Sequence, residues 1–92
     1  MNFQILYTRA AKRSITKLQP DEQDQVNSAI DNMLLYFASK HNNPPDVKTL
    51  KGKYHGVRRL RTGDFRILFK MEKGRLVILI IDVVKRKDAY KN

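Results

Sequence analysis

Two short alternating runs, Val57-Arg58-Arg59-Leu60-Arg61-Thr62 and Phe65-Arg66-Ile67-Leu68-Phe69-Lys70, stand on either side of Gly63-Asp64. In a strand, alternate side chains point to opposite faces. If Phe65, Ile67 and Phe69 face a core, Arg66 faces away from it. With Leu60 placed inward, Arg59 and Arg61 join Arg66 on the open face. Further on, Arg86 shares parity with Asp82 and Val84, and a bulge or a change of register brings it to the same side. Lys51 and Lys53 flank this set from a preceding loop. Packing does not call for such a cluster, and like charges gathered together cost stability unless an anion resolves them. Asp64, Asp82 and Asp88 are possible partners for some of the arginines. Planar guanidinium forks match phosphate oxygens, so Arg59, Arg66 and Arg86 together suit holding a scissile phosphate and stabilising its extra charge in the transition state.

The wider charge pattern agrees with a polyanionic partner. Residues 1–46 carry five Lys/Arg against five acids, whereas residues 47–92 carry fourteen against four, so the whole formal +10 lies in the second half. That half also holds the strand-like segments, which places the excess on a folded surface. Phosphate neutralisation releases condensed counterions and draws such a surface to nucleic acid, RNA before others, without any base contact. A length of 92 residues predicts one domain, residues 1–92. The sequence has no cysteine and two histidines, which excludes disulfides and thiolate metal sites and makes a poor metal-ligand set; no cofactor is expected. The longest apolar stretch, Leu76 to Ile81, is far below the roughly 20 residues that span a bilayer, and Met1-Asn2-Phe3-Gln4 is not the start of a secretory signal. A cytoplasmic location is the resulting expectation. No solenoid repeat or low-complexity tract is present.

The elements that must position the arginines follow from periodicity. Phe3, Ile5 and Tyr7 alternate with Gln4, Leu6 and Thr8 and predict an opening strand with at least one buried face. Thr8 can cap a helix in which Ala11, Ile15 and Leu18 share a face, and Gln19-Pro20 ends it. Pro20, followed by Asp21, Glu22 and Asp24, suits the start of a second helix. Its stripe of Val26, Ile30, Met33, Leu34 and Phe37 fades near Lys40-His41. Asn42 to Asp46 reads as a proline-rich loop and Leu50 to Gly56 as a second irregular stretch. Val57–Thr62 and Phe65–Met71 then form a hairpin, and Lys73-Gly74 turns into a last strand, Leu76–Val84, apolar on both faces. The expected fold is α+β: an N-terminal strand, a two-helix hairpin and a three-stranded antiparallel meander, with the helices on one sheet face.

Taken together, Leu50-Lys51-Gly52, the run Arg59-Leu60-Arg61-Thr62-Gly63-Asp64-Phe65-Arg66-Ile67-Leu68-Phe69, and an apolar strand ending in Lys85-Arg86-Lys87-Asp88-Ala89-Tyr90 resemble the RelE/ParE superfamily of toxins from type II toxin–antitoxin systems. The resemblance spans nearly the whole chain, and the arginine hairpin is its most specific part. It implies a microbial, RelE-type endoribonuclease that cuts mRNA in the ribosomal A site and is held inactive by a cognate antitoxin in a hetero-oligomeric complex. In that family the ribose 2′-hydroxyl attacks the adjacent phosphate without a metal, leaving a 2′,3′-cyclic phosphate and a 5′-hydroxyl. By this resemblance Arg66 is the phosphate-stabilising hairpin arginine, Arg86 assists the leaving group, Arg59 is a basic residue of the first hairpin strand, and Tyr90 stacks on or positions a nucleotide. Lys51, Lys53, Arg61, Lys85 and Lys87 complete the expected RNA-binding set.

The chain departs from the RelE pattern where the reaction needs a base. Val57 stands where such enzymes often have a lysine, and Arg59 replaces another; a guanidinium is a poor proton acceptor. Lys51, Lys53, His55 and Tyr90 remain candidates, of which only the His55 imidazole ordinarily titrates near neutrality. Three functions thus compete: the ribosome-dependent ribonuclease, a ParE-like poison of DNA gyrase on the same scaffold, and a catalytically silent module that binds RNA or a protein partner. For an antitoxin, the expected docking surfaces are the arginine face, which would attract an acidic segment, or the helices around Ile15, Leu18 and Met33.

Overall fold

The structure, a computed structural model, describes residues 3–39, 43–72 and 74–85. Strand β1 (Gln4–Tyr7) leads into helices α1 (Arg9–Thr16) and α2 (Pro20–Ser39), followed by β2 (Val47–Thr49), a single 3₁₀ turn at Gly52–Tyr54, β3 (Arg58–Thr62), β4 (Phe65–Glu72) and β5 (Val77–Lys85). The five strands form one sheet in the order β1-β5-β4-β3-β2. All neighbours are antiparallel except β1 and β5. The α+β class, the two-helix hairpin and the β3-β4-β5 meander agree with the sequence-based expectation.

Local chemistry sets the helix ends. Thr8 accepts a hydrogen bond at Oγ1 from the Ala11 backbone N–H at 3.0 Å, and its own hydroxyl donates to the carbonyl of Ile81 in β5. One side chain thereby caps α1 and ties it to the sheet. At the start of α2, Glu22 reaches back and accepts the Gln19 backbone N–H at 2.9 Å, half of a capping box with Pro20 at the first helical position. The apolar stripe of α2 then buries Val26, Ile30 and Met33 against Leu60, Phe65, Ile67 and Phe69 of the hairpin and Ile78 and Ile80 of β5. Met33 is wholly buried, so it belongs to the core and is not part of a docking surface.

Two strand features depart from the expected layout. Val47–Thr49, which the proline-rich composition around it concealed, pairs with β3 and forms an edge of the sheet. In addition, a bulge interrupts the β4–β5 ladder: Phe69 pairs with Ile80, whereas Leu68 pairs with Asp82. The extra residue puts Ile80 and Val83, three positions apart, on the buried side and turns Asp82 and Val84 to the face of Leu68 and Arg66. A bulge is one of the two ways by which the parity argument brings Arg86 to that face. Arg86 itself lies outside the described residues.

Candidate functional site

The hairpin turn fixes the arginine rows. Thr62 pairs with Phe65, leaving Gly63-Asp64 as a two-residue loop with Gly63 at φ +56°, the positive φ that a II′ hairpin turn requires at its first position. A Cβ on Gly63 would also collide with Nε2 of Gln25, whose amide approaches the Thr62 carbonyl at 3.3 Å. The turn is thus seated against α2. From it, register places Arg61 directly across from Arg66, and Arg66 across from Val84. One step along, Lys48, Arg59, Leu68 and Asp82 make the adjacent row. Leu60 and Ile67, paired between the two rows, are buried on the opposite face. Arg59, Arg61 and Arg66 do share the face away from the helices, as alternation predicts.

The three arginines are not equivalent. Arg61 and Arg66 are partly exposed, whereas Arg59 is only 5 % exposed, a burial a guanidinium tolerates only when it is paired. Its partner is Asp46, whose Oδ1 accepts from Arg59 Nη2 at 3.1 Å. This differs from the pairings anticipated with Asp64, Asp82 or Asp88. Asp82 instead accepts from the Ser14 hydroxyl at 2.6 Å and from the Val83 backbone N–H at 2.8 Å. The Asp46 backbone carbonyl accepts the Arg61 N–H at 2.9 Å, so the β2–β3 ladder continues through Asp46 and sets its side chain on the arginine face. At this edge, Asp46 and Arg61 line a cleft of about 350 Å³ together with Gln25, Ser28 and Asn32 of α2.

The other sequence-derived candidates are dispersed. Lys51 and His55 are exposed in the β2–β3 connection, and the Lys53 backbone lies in its 3₁₀ turn. That connection enters β3 at Val57, about 13 Å of strand from Arg61 at roughly 3.3 Å per residue. Lys85 turns to the helix side, where its Nζ lies 3.2 Å from Glu22 Oε2 and 6.0 Å from the centre of the Phe65 ring. Arg86, Lys87 and Tyr90 lie outside the described residues. Sequence reasoning missed Lys48, exposed beside Arg59, and Asp46. Both were hidden in the segment read as loop, and the signal that could have found them is the alternation of Asp46, Val47 and Lys48 around an inward valine.

Residues 5–90 match the family model of the ParE toxin of type II toxin–antitoxin systems. The chain belongs to this toxin family. Solved structures agree on the fold. The toxin resembles a chain of the RelBE toxin–antitoxin complex of Mycobacterium tuberculosis (TM-score 0.68, 21% identity, 94% of this chain and 100% of that one). It also resembles one of the archaeal RelE–RelB complex of Pyrococcus horikoshii OT3 (0.71, 19%, 94% and 97%). The isolated Escherichia coli RelE toxin gives 0.66 at 14% identity over 90% and 83% of the two chains. No curated protein matches the sequence. Among the described residues of the toxin, no helix is long and apolar enough to cross a membrane.

Proposed function

We propose that this toxin is a ribosome-dependent mRNA endoribonuclease of the RelE type, acting in the cytoplasm and held inactive by a cognate antitoxin in a hetero-oligomeric complex. The observation that carries the reading is the Arg61–Arg66 pair across β3 and β4, with Arg59 in the adjacent row. Two forks on neighbouring strands bracket one phosphodiester and supply the positive charge that its dianionic transition state demands. In this reading the ribose 2′-hydroxyl attacks the adjacent phosphorus and the 5′-oxygen leaves, giving a 2′,3′-cyclic phosphate and a 5′-hydroxyl. Arg66 stabilises the phosphate, and Arg86 and Tyr90 serve the leaving group and the nucleotide. The open basic face accepts an acidic antitoxin segment in place of RNA; the M. tuberculosis relative was solved as a toxin–antitoxin complex and the P. horikoshii one as a RelE–RelB complex.

Primer-extension mapping of transcripts after brief induction tests the proposal. Cuts inside translated codons, absent from an Arg66→Ala, Arg86→Ala variant, are the expected result; unchanged cleavage by that variant overturns the assigned site. The family-model match to ParE favours a second reading, a poison of DNA gyrase. Arrested growth with intact transcripts, DNA-damage signalling and inhibited supercoiling by purified gyrase would identify it.

A further inference from the structure

Nothing in the arginine set can take the proton from the attacking 2′-hydroxyl, because a guanidinium donates and does not accept. We propose that Asp46 is the general base, an assignment that rests on the ribonuclease reading above. Register and contact together put its carboxylate at the site: the Asp46 carbonyl bonds the Arg61 N–H, and its Oδ1 pairs with Arg59. Asp46 therefore extends the row that runs through Arg61 to Arg66. With strands about 4.8 Å apart, the Asp46 and Arg66 backbones stand roughly 10 Å from each other. Side chains reaching in from both ends of that span leave room for one ribose-phosphate unit, with its 2′-oxygen toward Asp46 and its phosphate toward Arg61 and Arg66.

The carboxylate is also held and accessible. Arg59, 95 % hidden from solvent, anchors Oδ1, while the Asp46 side chain is 53 % exposed. An anchored acceptor with an open approach is the arrangement that general-base catalysis uses, the base being oriented by a third group. Among the described carboxylates, Asp82 on the same face is engaged by Ser14 and Val83, Glu22 by Gln19 and Lys85, and Glu72 by Arg75. In the step, Asp46 takes the 2′-hydroxyl proton as the O2′–P bond forms and the P–O5′ bond breaks. The departing 5′-oxygen takes a proton from the acid on its own side or from water, and Asp46 returns its proton to solvent.

The test is single-turnover cleavage of a message bound to purified ribosomes, with ribosome affinity measured in parallel. Asp46→Asn, which keeps the size and a hydrogen-bond acceptor for Arg59, is expected to slow the cut by about 10²–10⁴-fold, the usual worth of a positioned base, while ribosome affinity stays within about threefold of wild type. Asp46→Glu should retain a measurable rate, and added formate should partly restore Asp46→Gly. The melting temperature of each variant controls for lost structure. Cleavage by Asp46→Asn within about threefold of wild type, a loss of rate matched by an equal loss of ribosome binding, or failure of both Glu and formate to recover any rate overturns the assignment. A wild-type chain that leaves the ribosome-bound message intact overturns the ribonuclease reading itself, and the assignment of Asp46 with it.

Discussion

At the scale of residues, the difference between Arg59 and Arg66 is one of environment. Arg59 is buried and bound to Asp46, so much of its charge is already answered; Arg66 is partly exposed opposite Arg61. If Arg66 is the group on which transition-state charge falls, Arg66→Ala should reduce cleavage by about 10²–10³-fold, the cost of losing one donor to a developing oxyanion. Arg66→Lys should recover only part of it, since an ammonium keeps the charge without the planar fork. Single-turnover rates on programmed ribosomes check this, and equal rates for Arg66→Lys and wild type would show that charge alone suffices. The core residues answer to a different measurement. Phe69 is fully buried between the helices and the sheet, and Phe69→Ala should cost about 3–5 kcal/mol in chemical denaturation, from lost transfer energy and the cavity left behind.

At the scale of elements, junctions carry the site. Gly63 holds φ +56° in the turn that sets the Arg61–Arg66 register. Gly63→Ala should destabilise the chain by about 1–2 kcal/mol, the cost of left-handed backbone for an L-residue, as read from its urea midpoint. The far end of β5 is fastened to the start of α2 by Glu22, whose carboxyl is held below its usual range first by the Gln19 backbone N–H and then by Lys85. A carboxyl whose pKa is lowered by folding contributes stability above its unfolded value, near 4.3, and that contribution is lost as pH falls through the folded value. Glu22→Gln should therefore melt below wild type at pH 7, with the gap closing under acid; a gap that persists at pH 3 would show that the amide disturbs packing instead. These junctions also mark how far sequence carries. Both helices and the hairpin were legible, because Val26, Ile30 and Met33 repeat at helical spacing and Gly63-Asp64 punctuates two alternating runs. β2 was not, since the loop signal of Asn42 to Pro45 outweighed the brief alternation of Asp46, Val47 and Lys48, and with β2 went Asp46 and Lys48. The parallel pairing of β1 with β5 was equally hidden, because it joins residues more than 70 positions apart and leaves no local signal.

At the scale of the whole molecule, the fold divides the charge that the sequence merely totals. The acids at the start of α2 lie on the helix side, where Glu22 meets Lys85, while Lys48, Arg59, Arg61, Arg66 and, one step along β4, Lys70 fall on the other face of the sheet. Of the acids that share this face, Asp46 pairs with Arg59, Asp82 accepts from Ser14, and Glu72, two residues beyond Lys70, pairs with Arg75. Such a face should bind single-stranded RNA by counterion release even without the ribosome. The slope of log affinity against log salt should be about −0.7 for each phosphate neutralised. Removing two phosphate contacts with Arg61→Ala, Arg66→Ala should then flatten the slope by about 1.4, twice that unit, whereas Lys85→Ala, on the helix side, should leave it nearly unchanged. Fluorescence anisotropy of a labelled oligonucleotide across a salt series measures both. An equal flattening by Lys85→Ala would mean that RNA follows total charge and not this face; a slope that only the arginine pair alters would place the phosphates on the surface where β3 and β4 meet.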